Sequence, residues 1–441
     1  MNVRVCACLL LVTAVVAGVL NPASMNAAEP QTVLKAEQAF AALKFGVIKG
    51  TTVQGTKRLY TPFYSYMIWP HVVAARGVQY CAFQNTQGQP VVMAYTAKTA
   101  RWQGPVTAAT NGLGPDAHGN PSLYIDETGY LHIFYGCHNT PLRHVRSARP
   151  YDITEWEHQE PPVNKVTYPQ TMRMQTGEVG LFYRAGGHME PWTMVTSSDA
   201  CKTWSKPQPI IEMRLDPPDK LAAAYVNFIP GVDRKTVHCF WVHKDDNPGA
   251  MNRGRLDKHP WRPLKYPGLH EAVYRYNLYY MKRDAEGVWR NADDRKMKLP
   301  VSKADADRYC MVYDSGDTFC RAGEYALDDQ DRPYVAFSTG VTDWTTGLEE
   351  KQVELVPQQK KFARYADGDW QIAKTMPGQW PANVQATINA SGAMAAGDGS
   401  GGNWSMFFSR NHNMKDIGCV IYLQNAQGEY ASRPDGPAII P

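Results

Sequence analysis

The stretch Asp116-Ala-His118-Gly-Asn-Pro-Ser-Leu-Tyr-Ile-Asp126-Glu-Thr-Gly129, continued by Tyr130-Leu-His-Ile-Phe-Tyr-Gly-Cys137-His138-Asn139, decides how this chain folds. It reads as a short strand, a polar turn containing glycine, and an apolar, aromatic-rich strand. The same arrangement returns in Thr167-Tyr168-Pro-Gln-Thr-Met-Arg-Met-Gln-Thr-Gly177, followed by Glu-Val-Gly-Leu-Phe-Tyr-Arg184-Ala-Gly-Gly187. In an antiparallel hairpin the start of the first strand and the end of the second lie at one edge. His118 and His138 are therefore expected to be neighbours, and so are Tyr168 and Arg184. A third unit, Tyr225-Val-Asn-Phe-Ile-Pro-Gly231 with Val237-His-Cys-Phe-Trp-Val-His243, adds Tyr225 and His243. Packed side by side, the three units bring six polar, reactive side chains to one rim. Each has a bland reading alone, as a surface or packing residue. As a set they point to function, because active sites gather such groups on a rigid scaffold.

Working outward, an apolar strand follows a turn six times. The strands begin at Val78, Tyr130, Val179, Val237, Pro333 and Trp404, at intervals of about 50 to 95 residues. Most are followed by a polar stretch ending in tryptophan: Trp102, Trp156, Trp204, Trp289 and Trp370. This irregular period is that of an all-β chain folded as a β-propeller, with four-stranded antiparallel blades and loops of variable length. Seven blades are expected, the last closed by both chain ends. The segment Ser197-Ser-Asp199-Ala-Cys201-Lys-Thr203-Trp204 matches the Asp-box turn Ser-x-Asp-x-Gly-x-Thr-Trp, with cysteine in the glycine place. Asp284-Ala-Glu-Gly-Val-Trp289 is a degenerate copy. The box marks a fold and carries no chemistry. Residues 30–45 suit a short helix, and the widest interval between strands holds a Pro- and Arg-rich insertion near 247–266.

With 441 residues and 44% hydrophobic content, the chain can bury a large core as one unit. A net charge of +4, with no dense run of Lys or Arg, argues against a nucleic-acid partner. At the N-terminus, Arg4 precedes an apolar run from Val5 to Leu20 that ends in small residues up to Ala28. Residues 1–28 are read as a secretory signal peptide, 29–58 as an N-terminal extension and 59–441 as one propeller domain. An exported, monomeric protein with no membrane span after cleavage is expected. Outside the signal, seven cysteines remain, so at least one thiol is unpaired in an exported protein. Cys81, Cys239 and Cys419 lie in apolar strands, where a small buried hydrophobe is the simpler explanation. Cys310 and Cys320 suit either a disulfide or half of a zinc site completed by histidine.

The segments Asp-Ala-His118-Gly-Asn-Pro, Gly-Cys-His138-Asn, Thr-Tyr168-Pro-Gln and Phe-Tyr-Arg184-Ala-Gly resemble the BNR-repeat propeller family. That family includes secreted ulvan lyases, and the likeness is greatest to polysaccharide lyase family twenty-five. It spans roughly residues 60–410. The resemblance implies that His118 and Tyr168 are the acid/base pair and that Arg184 binds the uronate carboxylate. It places His138, Tyr225 and His243 along the substrate cleft. It also implies a structural zinc, without naming its ligands here, and an acidic polysaccharide, most closely ulvan, as substrate. The cysteine in the Asp-box and the basic insertion depart from the family pattern.

The chemistry is consistent with those roles. Elimination across C4–C5 of a uronic acid needs the carboxylate neutralised, a base for the C5 proton and an acid for the departing glycosidic oxygen. A planar, permanently charged guanidinium suits the first task, which favours Arg184. Histidine titrates near neutrality and tyrosine near ~10, so His118 and Tyr168 can divide the other two in either order. No organic cofactor is needed, and no Gly-rich phosphate loop is present to hold one. A propeller glycoside hydrolase, sialidase- or rhamnosidase-like, is the rival enzyme. It wants paired carboxyl groups or a tyrosine nucleophile with an acid partner. Asp116 and Glu190 are the nearby carboxylates, but they do not sit at matching strand ends. A sialidase also wants an arginine triad, and here only Arg184 and the distant Arg410 offer themselves. A non-catalytic sugar-binding propeller, using Trp and Tyr as stacking platforms, is the rival from outside enzymes.

Overall fold

A computed structural model gives the fold. It describes residues 71–381, except 86, 97–100, 115, 175–176, 216–221, 232–234, 246–274, 316–319 and 340–358. It also describes strands at 33–34, 46–48, 403–410, 417–424 and 430–432. The segment expected as a signal peptide and the Pro- and Arg-rich insertion lie outside these residues.

The chain is a β-propeller. The described strands form six antiparallel sheets, one for each of the six apolar strands read from the sequence. The first sheet runs His71–Ala75, Val78–Gln84, Pro90–Thr96 and Arg101–Thr107 in order. The second holds Ser122–Ile125, Leu131–Tyr135, Arg143–Ser147 and Trp156–Gln159. The third follows as Val166–Arg173, Val179–Arg184, Trp192–Ser197 and Gln208–Ile211. The fourth is built on Ala222–Pro230, Val237–Asp245 and Arg275–Arg283, and the fifth starts with Cys320–Leu327 and Pro333–Thr339. The sixth joins both chain ends: Val33–Leu34 pairs with Tyr430–Ser432, and Gly46–Ile48 pairs with Ile417–Gln424. Residues 29–58, expected as an extension, thus contribute two strands to this sheet. Residues 33 and 34, inside the stretch expected as a helix, are extended. Seven blades were expected, and among the described residues there are six sheets.

Sheets packed face to face explain why the second strands are continuous apolar runs. Leu131–Tyr135 and Val179–Arg184 are buried at every position, on both faces. The tryptophans that end the repeats close the gaps between sheets. Trp204 meets Phe134 of the preceding sheet edge-on at 5.7 Å, Trp289 meets Phe182 at 6.5 Å and Trp370 meets Phe240 at 6.3 Å.

The Asp-box is a capped turn, as read. Asp199 Oδ1 accepts from the Lys202 and Thr203 amides, and Ser197 Oγ accepts from the Cys201 amide. Cys201 stands at φ 64°, a left-handed conformation that glycine adopts without cost. The one α-helix among the described residues, Lys303–Tyr309, starts where Ser302 accepts a hydrogen bond from the Asp305 amide.

Strand Arg143–Ser147 carries a buried titratable group, His144, stacked on Phe134 at 4.3 Å with Nε2 2.9 Å from His132 Nδ1. Burial, reinforced by His132, presses its pKa down to about 3. The unfolded chain therefore takes up a proton that the native state refuses. Stability is full above the unfolded value near ~6.5 and falls as pH drops from there towards 3. His71, pressed down to about 4 mainly by burial, adds in the same direction. Denaturant unfolding at about pH 7.5 and about pH 5.5 should show His144 costing about 1 kcal/mol at the lower pH. His144→Gln should remove that share. Equal pH sensitivity in the variant would assign the titration elsewhere.

Candidate active site

The first group of the site sits in a single 3-10 turn, Ala117–Gly119, just before strand Ser122–Ile125. This turn is tied to the end of the neighbouring strand by a bond from the Gly136 amide to the Gly119 carbonyl, 2.8 Å. A Cβ on Gly119 would lie 2.4 Å from the Cys137 nitrogen, so only glycine permits this approach. The result brings His118 against His138, their rings stacked 3.9 Å apart and 10° from parallel. Asp116 holds both. Its Oδ1 is 2.5 Å from His118 Nδ1 and its Oδ2 is 2.7 Å from His138 Nδ1. His138 does more than end a hairpin, because His138–Thr140 adds a short strand to the edge of the third sheet, opposite Thr167.

Tyr168 lies beside this pair, its ring 5.0 Å from that of His118. Its backbone is at φ 60°, a strained value for a bulky side chain, in a strand whose register breaks between Thr167 and Gln170. Pro169 follows and disfavours a helical alternative for Tyr168. Thr167 anchors the irregularity by donating its hydroxyl to the Gly186 carbonyl, 2.7 Å, and accepting from the Asn139 amide, 2.9 Å. Thr167 pairs directly with Arg184, whose guanidinium carbon stands 4.8 Å above the Tyr168 ring. Trp192 stacks parallel to the Tyr168 ring at 6.1 Å and donates its indole N–H to the Ala224 carbonyl.

The remaining predicted residues lie on the fourth sheet. Tyr225 is 6.1 Å from Tyr168, inside strand Ala222–Pro230. Five of the six expected side chains thus form one chain of ring and cation contacts. His243, opposite Ala224, is fully buried and tilts against Tyr276 at 4.5 Å. Sequence reasoning missed several neighbours. Lys244 Nζ is 2.5 Å from His188 Nε2, and the Arg275 guanidinium stands 4.2 Å above Tyr225. Lys244 adjoins His243 in sequence and could have been found from strand alternation. Nothing local singles out His188 or Arg275.

Solvent reaches these groups unequally. The side chains of His118 and His138 are 25% and 38% exposed, whereas Tyr168 and Arg184 are buried. Burial pushes the Asp116 carboxyl up, but the hydrogen bonds from His118 and His138 outweigh it and hold the group far below the usual range. Burial lowers His118, opposed by Asp116 and aided by the charges of His138 and Arg184. The net direction favours the neutral ring of His118. Arg184 has neither a carboxylate partner among the described residues nor a hydrogen-bond partner for its Nε and Nη1.

Asp116, His118 and His138 are the one group of three or more metal-ligating side chains that lie together among the described residues. Their closest atoms are already joined in hydrogen bonds, and the cluster is read as such. Cys310 and Cys320 are buried free thiols in the large core, both pushed up by burial, with no third ligand among the described residues. No disulfide joins them, and neither belongs to a group of three metal-ligating side chains among the described residues.

Residues 78–376 match the BNR repeat-containing family, and the chain belongs to it. An "Ulvan Lyase-PL25" from Pseudoalteromonas sp. (strain PLSV) is 28% identical over 334 residues, covering 68% of this chain and 62% of that protein. An ulvan lyase from Alteromonas sp. (strain LOR) is 27% identical over 298 residues, covering 62% of this chain and 58% of that one. The chain thus spans less than two thirds of the length of these curated relatives. The solved ulvan lyase of polysaccharide lyase family PL25 bound to -[GlcA(1-4)Rha3S]- shares the fold, with a TM-score of 0.62 at 22% identity, covering 88% of this chain and 86% of that one. The polysaccharide lyase Uly1 does so with a TM-score of 0.54 at 11% identity, covering 92% and 99%.

A lone buried guanidinium is costly to the native state. Arg184→Met keeps a flexible, unbranched stem and deletes the charge. It should raise stability by on the order of 1–3 kcal/mol in denaturant unfolding. A loss of that size would show that Arg184 is a structural cation.

Proposed function

We propose that this chain is a polysaccharide lyase that cleaves ulvan, or a closely related uronate-containing polysaccharide, by β-elimination. One observation carries the reading. Arg184 is a buried cation with two nitrogens, Nε and Nη1, unanswered by the described residues, and it lies over Tyr168 beside His118. An incoming carboxylate would meet both demands at once, through bidentate hydrogen bonds and charge. Lys244 and Arg275 around Tyr225 add to the positive character expected of a site for an acidic chain. The ulvan lyase relatives supply the substrate class.

In this mechanism Arg184 pairs with the uronate carboxylate and makes the C5 proton acidic. His118, neutral and held through Nδ1, takes that proton on Nε2. The C5–H electron pair becomes the C4=C5 double bond as the C4–O bond breaks. The Tyr168 hydroxyl gives its proton to the departing oxygen. Because Tyr168 and Arg184 are buried, the sugar must displace covering side chains to reach them. The carboxylates that hydrolysis would use are otherwise engaged: Asp116 between the two histidines, and Glu190 with Arg214 at 3.1 Å. The apolar run from Val5 to Leu20 and the small residues after it support export of the enzyme. No helix among the described residues is long and apolar enough to cross a membrane.

Purified protein on a panel of uronic-acid polysaccharides should generate ultraviolet absorbance from an unsaturated uronate. Tyr168→Phe should reduce turnover on the order of 10²–10⁴-fold while leaving substrate binding largely intact. Arg184→Lys should not restore activity, since a point ammonium cannot reproduce the bidentate contact. Reducing ends without absorbance would mean hydrolysis, binding without product a lectin-like role. Near-normal turnover in Tyr168→Phe would end the assignment of the tyrosine.

A further inference from the structure

Asp116 has no part in the elimination as written, yet it touches both histidines. Its Oδ1 accepts the His118 backbone N–H at 2.9 Å as well as His118 Nδ1 at 2.5 Å, and its Oδ2 faces His138 Nδ1 at 2.7 Å. The residue is itself fixed, because Gln84 Nε2 donates to its carbonyl oxygen at 3.0 Å. We propose that Asp116 is a positioning residue that locks His118 and His138 together as Nδ1–H tautomers and so directs their Nε2 atoms to substrate.

An ionised carboxylate only accepts hydrogen bonds, so each imidazole must present N–H at Nδ1. That places the basic lone pair of a neutral ring on Nε2. Bridging both rings through the two oxygens of one carboxylate also holds them stacked at 3.9 Å. Two stacked imidazoles repel if both are charged, and the single negative charge of Asp116 is matched to one proton gained. When His118 takes the C5 proton on Nε2, its Nδ1–H stays on Asp116 Oδ1 and the new imidazolium faces an anion. No covalent bond to Asp116 forms or breaks. Asparagine has one acceptor oxygen in place of two, so it can serve only one of the histidines.

The role in turnover rests on the proposed lyase reading, whereas the tautomers can be read without it. Histidine-selective 15N labelling of the wild-type protein, with His118→Gln and His138→Gln to assign the signals, should show both rings as Nδ1–H. An Nε2–H tautomer for either ring would overturn the proposal. In Asp116→Asn, one ring should lose that tautomer and kcat should fall on the order of 10–10³-fold with KM changed little. The acid limb of the pH profile should move to lower pH, because His118 loses the anion that raises its proton affinity. An unmoved acid limb, or kcat within about threefold of wild type, would overturn it. Wild-type protein that yields no unsaturated product would sink the lyase reading alone, and the tautomers would then decide the role of Asp116.

Discussion

In an antiparallel hairpin the first residue of one strand and the last residue of its partner must lie side by side, and the candidate site is placed by that constraint. Thr167 pairs with Arg184, and Ala224 pairs with His243. Gly119 and Gly136 join the loop and strand end that carry His118 and His138. Because successive sheets pack face to face, these hairpin ends converge, and side chains distant in sequence meet within a few ångströms. The strands themselves are held by apolar burial on both faces and by tryptophans reaching across to the preceding sheet. A stiff scaffold of this kind can carry local departures that a loop could not hold.

Two such departures lie at the site. Tyr168 keeps a positive φ in a strand whose register is broken. Arg184 is buried without a carboxylate among the described residues. The opposite end of strand Val237–Asp245 is built differently. There a hollow of about 400 Å³ is lined by His238, Lys282, Asp284, Arg290, Asp294 and Asp331, among others. Its cations are paired, Lys282 with Asp294 at 2.7 Å and Arg290 with Asp284 at 2.5 Å, and the His238 ring lies within hydrogen-bond distance of Asp331 at 3.0 Å. Paired charges of this kind ask for no ligand. The contrast in charge compensation, more than the size of any hollow, separates the two ends of the propeller.

The bridged histidine pair links these observations to chemistry. Its stack, its shared carboxylate and the lowered proton affinity of the half-buried His118 all follow from one short turn packed against one strand end. Tyr168 contacts both His118 and Arg184. The four side chains thereby form one continuous cluster, in which His118 and His138 are the partly exposed members and Tyr168 and Arg184 the buried ones.

The sequence by itself determined the propeller strands, the Asp-box turn and the neighbourhood of His118 with His138 and of Tyr168 with Arg184. Each of these depends on local pattern: apolar runs between glycine turns, and the fixed geometry of a hairpin. Tertiary structure decided the rest. Asp116 read as a stray carboxylate, since nothing local shows that its second oxygen meets a ring twenty-two residues away. The strain at Tyr168 needs Thr167 tied to Gly186 and Asn139, and the lack of a carboxylate for Arg184 is a sum over all the described residues around it. The pairing of residues 33–34 and 46–48 with the C-terminal strands likewise depends on where the ring closes. Periodicity records what each segment buries, whereas charge compensation and closure are properties of contacts between segments, and these exist only once the chain has folded.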